Sequence, residues 1–141
     1  MDFEDRLVFL HRQLAEIIAT HKPEVASFES TFVGKDARAH ARLGEARGVL
    51  VLTARMAGLP IYHYSPAEVK KATTGNGRAT KEQVRYMVAS MLKVEELPRP
   101  LDASDALAIA LCHMHQPAFR GAALGRARKP EIEALLKRAR R

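Results

Sequence analysis

The chain has 141 residues, 47% of them apolar and 28% charged, with a net charge of +7 and a single cysteine. This is the composition of an ordinary globular domain, large enough to bury roughly two-thirds of its extended-chain surface. It excludes a membrane span, since no apolar run reaches the roughly 18 residues required, and it excludes a disulfide scaffold, since Cys112 has no partner.

The acidic opening, Met1-Asp-Phe-Glu-Asp-Arg6, is wrong for a secretory or transit peptide, so a cytoplasmic protein is expected. The positive charge is concentrated at one end. Residues 120–141 hold eight Arg or Lys against Glu131 and Glu133, so six of the seven net charges lie there. Two parts are therefore expected: a nearly neutral domain over 1–119 and a basic tail over 120–141 that can touch phosphates.

In chain order, Phe3, Leu7, Leu10, Leu14, Ile17 and Ile18 recur at three- and four-residue steps and predict an amphipathic helix. His21-Lys22-Pro23 ends it, because the position before a proline is pushed out of the α region. Val25–Phe28 then reads as a short strand running into Glu29. A long helix is expected from Lys35 to Met56, closed by Gly58-Leu59-Pro60. Ile61–Tyr64, aromatic and β-branched, is a second strand.

Ser65-Pro66-Ala67-Glu68 is a capping box that opens the next helix, broken by Thr73-Thr74-Gly75-Asn76-Gly77. Thr80-Lys81-Glu82-Gln83 caps another in the same way. Pro98 and Pro100 mark a loop, and a last helix runs from Asp102 to about His115. The order α-β-α-β-α-α-α belongs to the α/β class, with parallel strands joined by helical crossovers. Two strands against five helices make a poor sheet.

Three carboxylates stand where chemistry is expected. Glu29 ends a strand, and the carboxyl ends of parallel strands are where ligands bind in α/β sheets. Its ordinary reading is a solvated glutamate, or one paired with Lys22 or Lys35. Asp102 and Asp105 are three apart at a helix start, on one face and eased by the helix dipole. Their ordinary reading is that of favoured N-cap and first-turn residues. A cap needs one aspartate, however, and the pair heads an apolar helix expected to be buried, so that both carboxylates look inward. Hard oxygen donors suit Mg²⁺ or Mn²⁺, and up to two such ions would serve phosphodiester hydrolysis.

His113 and His115 lie two apart on different helix faces and lack zinc-ligand spacing, so helix-end positioning or packing is expected for both. Cys112 reads as a small core residue. Lys70, Lys71, Arg78, Lys81 and Arg85 surround the Gly75-Asn-Gly77 loop, whose amides, with the capped helix start, would form a phosphate seat. Phe32, an apolar ring in a loop, is either an anchor beneath that loop or a ring for stacking on an unpaired base.

Taken in order, Glu29-Ser-Thr-Phe32, Leu43-Gly-Glu-Ala-Arg-Gly48, Val69-Lys70-Lys71, Thr74-Gly75-Asn-Gly77 and Asp102-Ala-Ser-Asp105-Ala-Leu-Ala-Ile-Ala110 resemble the RuvC family of Holliday-junction resolvases, which have an RNase H-like fold. The resemblance runs to about His115. It implies that Glu29, Asp102 and Asp105 are catalytic and metal-binding carboxylates. It also implies that Phe32 stacks at the junction centre and that Lys70 and Lys81 sit near phosphates. A four-way DNA junction, a homodimer using the helix around Leu43–Leu52 and a branch-migration machinery are the implied partners.

One departure from the family pattern concerns the N-terminus. The family begins with a strand carrying a first catalytic aspartate, followed by two antiparallel strands. This sequence starts at the first helix, so the expected RNase H-like sheet lacks three of its five strands and the site lacks that aspartate. The missing first strand is the neighbour expected for Val25–Phe28. A second reading is therefore a junction-binding module without activity, and a third is an RNase H-like nuclease acting on ordinary duplex or RNA hybrid.

Overall fold

A computed structural model describes residues 1–30, 35–117 and 119. The elements are α1 (Phe3–His21), β1 (Ala26–Glu29), α2 (Ala37–Met56), β2 (Ile61–Tyr64), α3 (Pro66–Thr74), α4 (Lys81–Leu92) and α5 (Leu101–Met114). Their order is the one expected. Phe32 and the basic tail over 120–141 lie outside the described residues, and among those described no helix is long and apolar enough to cross a membrane.

Among the described residues the sheet has two strands, β1 beside β2. The Ala26 amide donates to Pro60 O at 2.9 Å and the Ser30 amide to Tyr64 O at 2.7 Å. Both bonds join residues 34 apart, so the strands run parallel with α2 as the crossover. The neighbour found for β1 is thus β2.

The described residues divide into two compact units, residues 1–26 with 35–62, and residues 27–30 with 63–117 and 119. In the first unit α1 packs along α2. Asp36 lies outside the helix expected from Lys35 and caps it, its carboxylate accepting from the Arg38 and Ala39 amides at 3.0 and 3.2 Å. Phe3 lies under the Arg42 guanidinium, 5.3 Å from ring centroid to carbon. Thr53 gives its hydroxyl proton to Val49 O at 2.7 Å, which leaves His11 Nδ1–H as the donor in their 2.8 Å bond. No residue of α1 is fully buried, and Ile17, expected on its packed stripe, is exposed.

The second unit holds most of the tightly packed interior. There α3, α4 and α5 pack against one another through Val69, Val84, Val88, Ala108, Leu111 and Cys112, all buried. Both capping boxes form. The Glu68 amide donates to Ser65 Oγ at 3.2 Å and the Ser65 amide to Glu68 Oε2 at 2.6 Å; Thr80 and Gln83 repeat the exchange at 3.2 and 2.9 Å. The Ser65 backbone bond, aided by the Ser65 side chain, holds the Glu68 carboxyl below its ordinary value. Thr73 and Thr74 extend α3 instead of breaking it, their hydroxyls donating to Val69 O and Lys70 O one turn back. The break falls at Gly75, whose φ of 79° favours glycine.

Cys112 is fully buried and uncrosslinked, and burial pushes its thiol up, as a core residue requires. His113, at 3% exposure, shares a 2.5 Å hydrogen bond between Nδ1 and the Tyr64 hydroxyl. His115 Nδ1 bonds Leu111 O at 2.7 Å. His113 packs in the interior, whereas the exposed His115 is the C-cap of α5, so one takes the packing role and the other the helix-end role that the sequence allows.

Two measurements check this packing. Ser65→Ala and Thr80→Ala should each cost about 1 kcal/mol, a few degrees of melting temperature. Burial holds His113 below its ordinary value of 6.5, so the unfolded chain binds the extra proton first. His113 thus contributes stability fully present above pH 6.5 and lost as pH falls toward its folded value. Melting between pH 7 and 5 should show a shallower acid slope in His113→Phe than in the wild type, and an unchanged slope would contradict the assignment.

Candidate active site

The site begins with the way α5 sits. Ser104, Ala108, Leu111 and Cys112 are buried along one stripe, and His113 is buried off it near the C-terminal end. Ser104 is tied down further by donating its hydroxyl to Leu101 O at 2.6 Å. Asp105 is one residue beyond Ser104, about 100° around the helix, and Asp102 is two before it. Both carboxylates are therefore exposed, not turned into the packed face as the apolar run suggested.

Neither aspartate caps the helix. The N-cap is Pro100, with no side-chain cap bond, and Asp102 lies in the first turn. The N-cap part of the ordinary reading is thereby removed, while its first-turn part holds for Asp102. The helix dipole still favours negative charge at Asp102. Among the described residues Asp105 has one ionic partner, Arg85 of α4, with Nη2 3.8 Å from Oδ1.

Glu29 is the exposed last residue of β1 and belongs to the same compact unit as Asp102 and Asp105. The three do not close into a cage: among the described residues no group of three His, Cys, Asp or Glu could hold a metal ion. The donor set nevertheless fits a hard divalent ion in kind. Mg²⁺ takes one or two carboxylates and completes its shell with water and phosphate. Exposed aspartates one helical turn apart suit that arrangement better than a closed structural site.

The cations sit on α3 and α4 of the same unit. Lys70 and Arg85 are half-buried, whereas Lys71, Arg78 and Lys81 are exposed. Most of the loop amides near them are already engaged. The Gly75 amide donates to Lys71 O, Asn76 to Thr74 Oγ1, Arg78 to Asn76 Oδ1 and Ala79 to Asn76 O. The Thr80 amide is held by Gln83. The expected amide cradle is thus largely spent inside the turn, since Asn76 and the capping box satisfy locally what a phosphate would have satisfied.

One feature was missed in the sequence. Tyr86 is 74% exposed and helps line a shallow cavity of about 540 Å³ with Thr74, Asn76, Gln83 and Met87. Helical spacing held the signal: Val84 and Val88 define the packed stripe of α4 and leave the intervening Tyr86 facing away from it.

Comparisons with known proteins place the chain in a family. The family model described as Crossover junction endodeoxyribonuclease RuvC matches residues 1–113. Crossover junction endodeoxyribonuclease RuvC of Pelotomaculum thermopropionicum is 48% identical over 111 residues, covering 79% of this chain and 68% of the relative. Its counterpart from Alkalilimnicola ehrlichii is 47% identical over 114 residues, covering 81% and 68%. Among solved structures, Thermus thermophilus RuvC superposes with a TM-score of 0.75 at 36% identity, covering 82% of this chain and 69% of that one. The Thermus thermophilus RuvC complex with a Holliday junction substrate gives 0.77 at 36%, covering 82% and 70%. The chain belongs to the RuvC family of crossover junction endodeoxyribonucleases.

Proposed function

We propose that this protein resolves Holliday junctions, cutting DNA phosphodiester bonds hydrolytically with the help of a divalent metal ion. The observation that carries the reading is the pair Asp102 and Asp105, both exposed at the start of a packed helix and neither of them its N-cap. Family membership and the solved relative in complex with a Holliday junction substrate support the substrate class.

In this reading Asp102, Asp105 and Glu29 are the catalytic and metal-holding carboxylates. Mg²⁺ is the ion proposed, with Mn²⁺ as a substitute and up to two ions per site. Such ions supply Lewis-acid charge and a more acidic bound water. The chain's own groups do the positioning. Lys70, Lys71, Arg78, Lys81 and Arg85 draw the DNA backbone toward the unit that carries the carboxylates. Phe32 is proposed to stack on a base at the junction centre, and the tail over 120–141 to add phosphate contacts.

A homodimer would place two such sites on one junction. Support comes from α2, where Leu52 and Met56, one turn apart, are 59% and 68% exposed. Exposed apolar residues on one helical face are what a partner subunit would cover.

Cleavage of a synthetic four-way junction tests the proposal. Nicking should require the divalent ion and should persist in the presence of excess linear duplex. Asp105→Asn and Asp102→Asn should each lower the rate roughly a hundredfold or more while junction binding remains. Equal cutting of linear duplex, or full activity in both variants, would overturn it.

A further inference from the structure

We propose that Arg85 is the resident counter-ion of Asp105: it holds the carboxylate when no metal is bound, competes with the divalent ion for it, and keeps donors free for a DNA phosphate. The proposal rests on the reading of Asp105 as a metal-binding carboxylate.

The position of Arg85 follows from helix geometry. Val84 and Val88 are the buried stripe of α4, and Arg85 lies about 100° around from Val84, at the border of that stripe. Lys81, four residues earlier, shares that side. Asp105 has the corresponding border position beside Ser104 on α5. Because α4 packs on α5, the two borders meet, and Arg85 Nη2 comes to 3.8 Å from Asp105 Oδ1.

The pair is incomplete in an informative way. The Arg85 side chain retains 24% exposure and Asp105 49%, so the contact is reachable from solvent. Arg85 Nε is nevertheless buried and has no acceptor among the described residues. A guanidinium carries five N–H donors in a planar fork suited to carboxylate and phosphate alike. Here one long ionic contact uses a small part of that capacity. A structural salt bridge would be expected to engage the fork more fully; this one leaves donors for an anion that arrives later.

The magnitudes decide the sign of the effect on metal. A partly exposed ion pair contributes little to fixing a side chain. By contrast, a permanent positive charge a few ångströms from a divalent ion repels it appreciably even in a high-dielectric, screened setting. Repulsion therefore outweighs positioning, and loss of the Arg85 charge should tighten metal binding.

Calorimetric titration of the DNA-free full chain with Mn²⁺ tests this directly. Arg85→Met should bind Mn²⁺ roughly three- to tenfold more tightly than the wild type. Arg85→Lys, which keeps the charge, should stay near the wild-type value. Arg85→Gln supplies the same neutral test if the methionine variant does not fold, as judged by circular dichroism. Unchanged or weaker Mn²⁺ binding in a folded neutral variant would overturn the proposal. Asp105→Asn separates the two levels. If it leaves Mn²⁺ binding intact, the metal-site reading itself fails, and the role of Arg85 with it. If it weakens binding while Arg85→Met changes nothing, only the role of Arg85 fails.

Discussion

The packing register of α5 is the constraint on which the rest of the second unit depends. Along most of its length α5 buries one stripe, occupied by Ser104, Ala108, Leu111 and Cys112, with His113 buried off it only near the C-terminal end. Once that stripe faces α3 and α4, the positions of Asp102 and Asp105 are no longer free: they are held at the exposed surface, on the first turns of a rigid element. Rotation of α5 by a single residue, about 100°, would bury Asp105 beside an apolar core and expose Ser104. Burying an unpaired carboxylate costs several kcal/mol, so the core packing and the site geometry enforce each other.

The same logic orders the cations. The left-handed Gly75 and the Thr80–Gln83 capping box fix where α3 stops and α4 starts. Those ends place Lys70 and Lys71 near the end of one helix and Lys81 and Arg85 in the first turns of the other. A basic surface on defined helices is better suited to register against a DNA backbone than one on a free loop, because less side-chain and backbone freedom is lost on binding. His113 and Tyr64 anchor the far end of α5 through their buried bond, away from the aspartates at its start.

Much of this was legible in the sequence because the signals are local. Ser65-Pro66-Ala67-Glu68 and Thr80–Gln83 specify their caps by hydrogen bonds within four residues, and both formed. The strand at Ile61–Tyr64 was identified from residue type and fell on the same residues. What failed depended on orientation or on competition for the same donors. An apolar run suggested a helix buried all round, whereas one stripe is buried and the aspartates lie off it. The glycine loop suggested amides for a phosphate, and the structure shows those of Gly75, Asn76, Arg78, Ala79 and Thr80 bonded locally. Ion pairing between α4 and α5 could not be foreseen, since Arg85 and Asp105 are brought together by helix packing and not by sequence spacing. The ordered motifs did identify the family, because several blocks at compatible spacing constrain each other far more than any one block does.

The central claim is that Glu29, Asp102 and Asp105 together mark the place of a divalent ion. Paramagnetic broadening of backbone amide signals by substoichiometric Mn²⁺ tests it most directly, since it locates the ion without requiring cleavage. The account predicts selective loss of signals around residues 102–105 and around Glu29, abolished in Asp105→Asn. Broadening centred elsewhere on the chain, or unchanged by that substitution, would contradict it.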